Sequence, residues 1–142
     1  MTKSRASAVW EGKLKEGRGN FKAGSGTFQA AYSFQTRFEG AKGATPEELL
    51  AAAHAACYSM ALSAGLEKAR TPATRISTDA ACTIETVDGA PKITTMVLTV
   101  SGAVPGIDNA AFQKAANDAA VGCPVSKALR GNVEITLQAT LE

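Results

Sequence analysis

Hydrophobic and polar residues alternate most regularly at the C-terminal end of the chain. Val133, Ile135, Leu137, Ala139 and Leu141 interleave with Glu134, Thr136, Gln138 and Thr140. A period of two over nine residues predicts a strand with one buried and one wet face. Residues 74–87 and 91–103 read as two long strands joined at Asp88-Gly89, a hairpin signal. Near the N-terminus, residues 5–16 read as a strand around Val9 and Trp10. The glycines at 17, 19, 24 and 26 punctuate the next stretch of chain, predicting short hairpin strands up to Phe34. Residues 37–45 read as a loop.

The pattern changes at Thr45-Pro46-Glu47-Glu48. Thr45 suits an N-cap, Pro46 the first helical position and Glu48 the third position of a capping box. The helix that starts there is expected to run to about Arg70, with Lys68 and Arg70 complementing its C-terminal dipole. Asp108 is placed to cap a second helix over about 109–121. Gly122-Cys123-Pro124 interrupts it, a third helix covers about 124–130, and Gly131 ends it. The order of strands, long helix, hairpin, helices and strand predicts an α+β fold with largely antiparallel sheet. With 142 residues and no repeat or linker, the chain reads as a single domain, residues 1–142.

Between Leu49 and Leu66 the long helix carries no formal charge beyond what His54 holds, and seven alanines fall in that span. A helix without a polar face is expected to be buried on most sides. Its length would permit a membrane span, but alanine, serine and glycine supply little transfer energy, so no membrane role is expected. A partner subunit that covers it, making a homodimer, is the favoured solution; the alternative is that the chain's own sheet wraps it.

Composition narrows the function. Charged residues make up 20% and hydrophobic residues 45%, and the net charge is +2. So small a charge argues against nucleic-acid binding. The N-terminal residues hold no apolar core of signal-peptide length. Three cysteines, 25 and 41 residues apart, do not form a secreted disulfide framework. A reducing, cytoplasmic compartment is expected, where a disulfide is more often catalytic than structural.

The cysteines differ in setting. Cys57 lies mid-helix among Ala53, His54, Met60 and Ala61; by position alone it reads first as a small packing residue, with a nucleophile as the alternative. Cys123 precedes Pro124 at a helix start, where the dipole and free N–H groups favour a thiolate; it reads equally as a reactive thiol or a corner filler. Cys82 alternates with apolar strand residues and reads as packing. His54, one turn before Cys57, suggests a Cys–His pair, against a core histidine satisfied by a backbone carbonyl. Three cysteines and one histidine also make a zinc set in number, but no two have ligand spacing, and no metal is expected.

Two segments resemble the cysteine motifs of the OsmC/Ohr family of osmotically inducible and organic-hydroperoxide-resistance proteins. They are Thr-Pro-Glu-Glu-Leu-Leu-Ala-Ala-Ala-His-Ala-Ala-Cys-Tyr-Ser-Met-Ala-Leu (45–62) and Val-Gly-Cys-Pro-Val-Ser (121–126). Thr36-Arg37-Phe38-Glu39-Gly40 and Ala103-Val104-Pro105-Gly106-Ile107-Asp108 extend the likeness, to the OsmC branch in particular. The resemblance implies an intertwined α+β homodimer, with antiparallel sheets around two long central helices. It implies thiol-dependent reduction of organic hydroperoxides without haem, flavin, metal or other cofactor. In that likeness Cys57 matches the peroxidatic cysteine and Cys123 the resolving one, while Arg37 and Glu47 match the polar partners of the thiol. The reductant would be an external dithiol, with a protein-bound dihydrolipoyl group as the family's suggestion. Glu47 lies ten residues before Cys57, about 15 Å along a helix, so it would act through Arg37 or at the pocket mouth; Glu48 is its competitor. Apolar neighbours such as Met60 and Leu50 would favour apolar peroxides. Two other classes compete: a non-enzymatic redox-sensing or apolar-ligand-binding dimer, and a Cys–His hydrolase.

Overall fold

The computed structural model describes residues 1–142, which divide into two compact units, Met1–Pro46 and Glu47–Glu142. The first unit is a three-stranded antiparallel sheet in the order β1 (Ala6–Glu11), β2 (Arg18–Ala23), β3 (Gln29–Tyr32). Its cohesion comes from rings. Tyr32 lies 5.5 Å from Trp10 and 5.7 Å from Phe21, centroid to centroid, and Phe28 meets Phe21 edge-on at 6.4 Å. Gly19 lies between Trp10 and Tyr32, where a Cβ would collide with both rings.

Part of the expected loop over 37–45 is helical. A short helix, α1 (Phe34–Phe38), precedes the loop. The Ser33 hydroxyl accepts from the Thr36 N–H at 3.1 Å, and the Thr36 hydroxyl oxygen accepts from the Ser33 N–H at 3.0 Å. This is a capping box with threonine where glutamate is usual, which is why the residue pattern did not reveal it.

The second unit begins with the long helix α2 (Pro46–Lys68). Its end follows a Schellman pattern: Thr71 N–H donates to Leu66 O and Arg70 N–H to Glu67 O, with Arg70 left-handed at φ 62°. The hairpin β4 (Arg75–Val87) and β5 (Ala90–Ala103) turns at Asp88 (φ 51°) and Gly89 (φ 78°), the paired positive angles that an Asp-Gly turn supplies. Helix α3 (Asn109–Gly122) is capped by Asp108, whose carboxylate accepts from the Ala111 N–H at 2.8 Å. Helix α4 (Pro124–Leu129) comes next without a loop, and β6 (Glu134–Leu141) closes the chain.

The second sheet has the order β4-β5-β6, and β6 lies parallel to β5. The fold is α+β and three of its four strand pairings are antiparallel. The parallel pair is a consequence of connection. Helices α3 and α4 carry the chain back across the sheet before β6, so β6 enters in the direction of β5.

The core gathers one line of α2 (Ala51, Tyr58, Leu62, Leu66), one face of β5 (Met96, Leu98, Val100), and Phe112, Ala119 and Cys123. The expectation that α2 is buried on most sides fails within one chain. Glu47, Ala51, His54, Tyr58, Leu62 and Leu66 are buried, at spacings of three and four. Ala52, Ala53, Ala56 and Ala64 are exposed, and Met60 is 74% exposed. By length and composition α2 is apolar enough to cross a membrane, with mean hydropathy 1.4. Its buried line nonetheless carries Glu47, His54 and Tyr58, side chains that a soluble core can satisfy individually.

Candidate active site

The packing of α2 against the α3–α4 junction sets two thiols face to face. Cys57 sits on α2 and Cys123 is both the last cap of α3 and the N-cap of α4. Their sulfurs are 3.1 Å apart and hydrogen-bonded, although the residues are 66 positions apart in sequence. Both cysteines are free thiols. Cys57 is half-buried and Cys123 fully buried, so a reagent from solvent reaches Cys57 first.

The two thiols are tuned in opposite directions. Burial pushes Cys57 up, the bond to Cys123 adds to that, and the Val125 N–H pulls weakly down. Burial also opposes ionisation of Cys123. It is outweighed by the Ser126 N–H, the Cys57 thiol, the Ser126 hydroxyl and the Val125 N–H, so Cys123 lies below the ordinary thiol value. Proline at the first position of α4 has no N–H of its own, and the next N–H groups of a helix start have no intrahelical acceptor, so they favour negative charge at the cap without a hydrogen bond to the Cys123 side chain. The Cys123 thiol donates to the Cys57 sulfur, and Cys123 is the more readily ionised of the two.

Tyr58 is fully buried, and its hydroxyl donates to Ala116 O at 3.0 Å. Burial and the charge on Cys123 both push its own ionisation up, so it stays neutral beside the thiolate. His54 is also fully buried and bonds through Nε2 to the Ser126 hydroxyl at 2.7 Å, while its Nδ1 has no partner. Burial pushes its pKa down, so the ring is neutral near pH 7. The expected backbone carbonyl is thus replaced by a serine hydroxyl from another helix. Ser126 closes the second cysteine motif, where the residue pattern gave it no role; its place three residues after an N-cap cysteine was the available signal.

Glu47, the first residue of the second unit, is 5% exposed. Burial first, and then the Glu47 carboxylate, push Cys82 up, which accords with Cys82 as a packing thiol. Glu48, the next residue, is exposed. Arg37 belongs to the first unit, at the end of α1, with its guanidinium 5.2 Å from the Phe38 ring centroid. No three His, Cys, Asp or Glu side chains gather as a metal ion requires.

A groove of about 630 Å³ is lined by residues of α2 and α3 and of the segments next to them; neither Cys57 nor Cys123 is among them. Ala61, Gly65, Leu66, Ile107, Ala115 and Ala119 line it. Ala61 is one turn from Cys57, and Gly122, also on the wall, adjoins Cys123. Leu50 packs against the core, whereas Met60 faces outward and is no part of this groove.

Residues 39–138 match the family model described as OsmC-like protein. The chain is 44% identical over 135 residues to the Escherichia coli protein named peroxiredoxin OsmC, covering 94% of each chain. The chain belongs to the OsmC family. An organic hydroperoxide resistance protein of Xanthomonas axonopodis pv. citri is 37% identical over 100 residues, or 69% of this OsmC-family chain and 68% of its own. Among solved structures, the organic hydroperoxide resistance protein OhrB of Bacillus subtilis superposes with a TM-score of 0.76 at 26% identity, covering 96% and 98% of the two chains. An organic hydroperoxide resistance protein from Elizabethkingia anophelis reaches 0.77 over 99% of both chains at 24% identity, a likeness of fold.

Proposed function

We propose that this OsmC-family chain is a cysteine-based peroxidase that reduces organic hydroperoxides to alcohols. The observation that carries the reading is the Cys57–Cys123 pair: two free thiols 3.1 Å apart, one reachable and one enclosed. A peroxide oxygen is delivered to the reachable sulfur, and the enclosed one is already within closing distance for a disulfide. The mostly apolar groove whose wall includes Ala61, one turn along α2 from Cys57, suits the hydrocarbon part of the substrate.

In the first step the Cys57 thiolate attacks the outer peroxide oxygen. The O–O bond breaks, Cys57 becomes a sulfenic acid, and the alkoxide takes a proton to leave as alcohol. The Cys123 thiolate then attacks the Cys57 sulfur, the S–O bond breaks, and hydroxide leaves as water once protonated. An external dithiol, with a dihydrolipoyl group as the family's suggestion, takes the disulfide back to two thiols and is itself oxidised. Neither step requires a cofactor.

Cys57 needs help to ionise, because the groups that set it are burial, the Cys123 thiol and one N–H, none of them a cation. We assign that help to Arg37, with Glu47 fixing the guanidinium, on the strength of the family motif. The exposed Ala52, Ala53, Ala56, Met60 and Ala64 face of α2 supports a homodimer in which a second copy covers it. A cytoplasmic setting, where dithiols are kept reduced, completes the reading.

The test is peroxide consumption with cumene hydroperoxide and excess dithiol. Cys57→Ser should be inactive; full turnover by that variant sinks the assignment. Cys123→Ser should consume about one equivalent of peroxide per chain and recycle poorly. A single oxidation event without turnover in the unaltered protein would point to a redox sensor.

A further inference from the structure

The two-cysteine chemistry leaves His54 and Ser126 without a task. Both are completely enclosed, and the His54 Nε2 and the Ser126 hydroxyl are bonded at 2.7 Å across 72 positions of sequence. Enclosing these polar groups costs free energy that two apolar side chains would not incur, and the imidazole keeps one nitrogen unpaired. What the polar pair adds is direction. Apolar packing tolerates small slides and tilts, whereas a hydrogen bond weakens as its length and angle change.

His54 lies three residues before Cys57 on α2, and Ser126 lies three residues after Cys123, on α4. About one helical turn, or about 4.5 Å of rise, separates the polar group from the thiol on each side. The pairs His54–Ser126 and Cys57–Cys123 are therefore successive contacts between the same two segments. One residue after Cys57, the Tyr58 hydroxyl donates to Ala116 O of α3 at 3.0 Å. Along α2 the sulfur contact is thus flanked by two buried hydrogen bonds, one to each of the helices that meet at Cys123. Helix α4 depends most on such ties, since it has six residues and no side chain caps its start. A helix that short does not hold its shape alone in water, so tertiary contacts must place it.

We propose that His54 and Ser126 are positioning residues whose bond ties the start of α4 to α2 and so holds the Cys123 sulfur within reach of Cys57 for the disulfide-forming step. This rests on the reading that Cys57 takes the peroxide oxygen and Cys123 resolves it. In that step the Cys123 lone pair forms the S–S bond, the Cys57 S–O bond breaks, and the leaving hydroxide takes up a proton to become water. The oxidising equivalent is the peroxide oxygen already on Cys57. A tie that brings the sulfurs together must raise the equilibrium constant for closing the disulfide, because the coupling is reciprocal. A bond that only stabilises the fold supports dithiol and disulfide alike and leaves that constant unchanged. One net hydrogen bond corresponds to about three- to tenfold in an equilibrium constant, so losing the tie should weaken disulfide formation by about that factor.

The experiment equilibrates the full-length Cys82→Ser protein with mixtures of reduced and oxidised dithiothreitol and reads the disulfide fraction by mass after alkylation. Two electrons and two protons pass between the Cys57–Cys123 pair and the reagent. In that background Ser126→Ala and His54→Leu should each lower the constant for the disulfide about three- to tenfold. His54→Gln keeps a hydrogen-bonding group toward Ser126 and should stay near the parent value. An unchanged constant in Ser126→Ala with unchanged circular dichroism overturns the proposal. So does a raised constant: a bond that served only to stabilise the Cys123 thiolate would, once lost, disfavour the reduced form and promote the disulfide. So does an equal fall in His54→Gln and His54→Leu, which would make ring shape the cause. If either histidine variant fails to fold, Ser126→Ala decides. A parent protein that forms no Cys57–Cys123 disulfide at any ratio overturns the proposal together with the resolving role of Cys123. Peroxide turnover by Cys57→Ser would refute the assignment of the attacking cysteine, while the dithiothreitol equilibrium would still test the tie.

Discussion

Oxidation of the Cys57–Cys123 pair should make the protein markedly harder to unfold, and the size of the effect can be worked from the structure. The new bond would close a loop across 66 positions of the unfolded chain. A loop of that length removes about 15 cal/mol/K of chain entropy, about 4 kcal/mol at 25 °C. Engineered disulfides often deliver less, because the folded state must strain to form them. Here the sulfurs stand 3.1 Å apart in the thiol form, so they approach by only about 1 Å to reach a bond of about 2.05 Å. Most of the entropic gain should therefore survive. For a chain of this size it corresponds to a rise in Tm of roughly 10–15 °C. The assay compares thermal unfolding of Cys82→Ser protein reduced by a phosphine with the same protein oxidised by one equivalent of hydroperoxide, at equal concentration. Loss of two hydrogens by mass confirms the bond. Cys123→Ser carried through the same treatment should show no such rise. An oxidised protein that melts at or below the reduced one would refute the claim that the fold holds the two sulfurs ready to bond.

Four further outcomes are expected. Met60→Glu places a charge on the exposed apolar face of α2 and should shift the protein from dimer to monomer in sedimentation, whereas an unchanged dimer would move the contact elsewhere. Gly102→Ala puts a Cβ 2.7 Å from the ring of fully buried Phe112 and should lower stability in urea by about 1–3 kcal/mol; Arg70→Gly relieves a left-handed arginine and should raise it by up to about 1 kcal/mol. Cys123 titrates below the ordinary thiol value in the fold, so its contribution to stability is present at high pH and lost as pH falls through the folded value. The stability of Cys57→Ser relative to Cys57→Ser/Cys123→Ser should therefore rise from neutral pH toward 9.0, and a flat or falling difference in urea midpoints would contradict the assigned donors.

Local chemistry determined the elements. Strict alternation over 133–141 is compatible only with a half-buried strand, and β6 occupies Glu134–Leu141. Asp88-Gly89 produced the expected turn, Pro46 the start of α2, and Asp108 the cap of α3. The family was legible too, because two motifs carry it almost unbroken. Short α1 was missed since its capping box uses Ser33 and Thr36, a pair that also occurs in loops.

Relations between distant elements belonged to the tertiary structure. No periodicity says that β6 lies parallel to β5, because that depends on the path of α3 and α4. No spacing says that Cys57 and Cys123 touch, or that His54 meets Ser126, because contacts across 66 and 72 positions depend on how whole elements pack. The apolar surface of α2 alone did not reveal that one line of it would be covered by its own chain. Nor could sequence rank the two thiols. That order depends on burial set against the N–H groups at the start of α4, a balance that exists only once α2 is packed over Cys123.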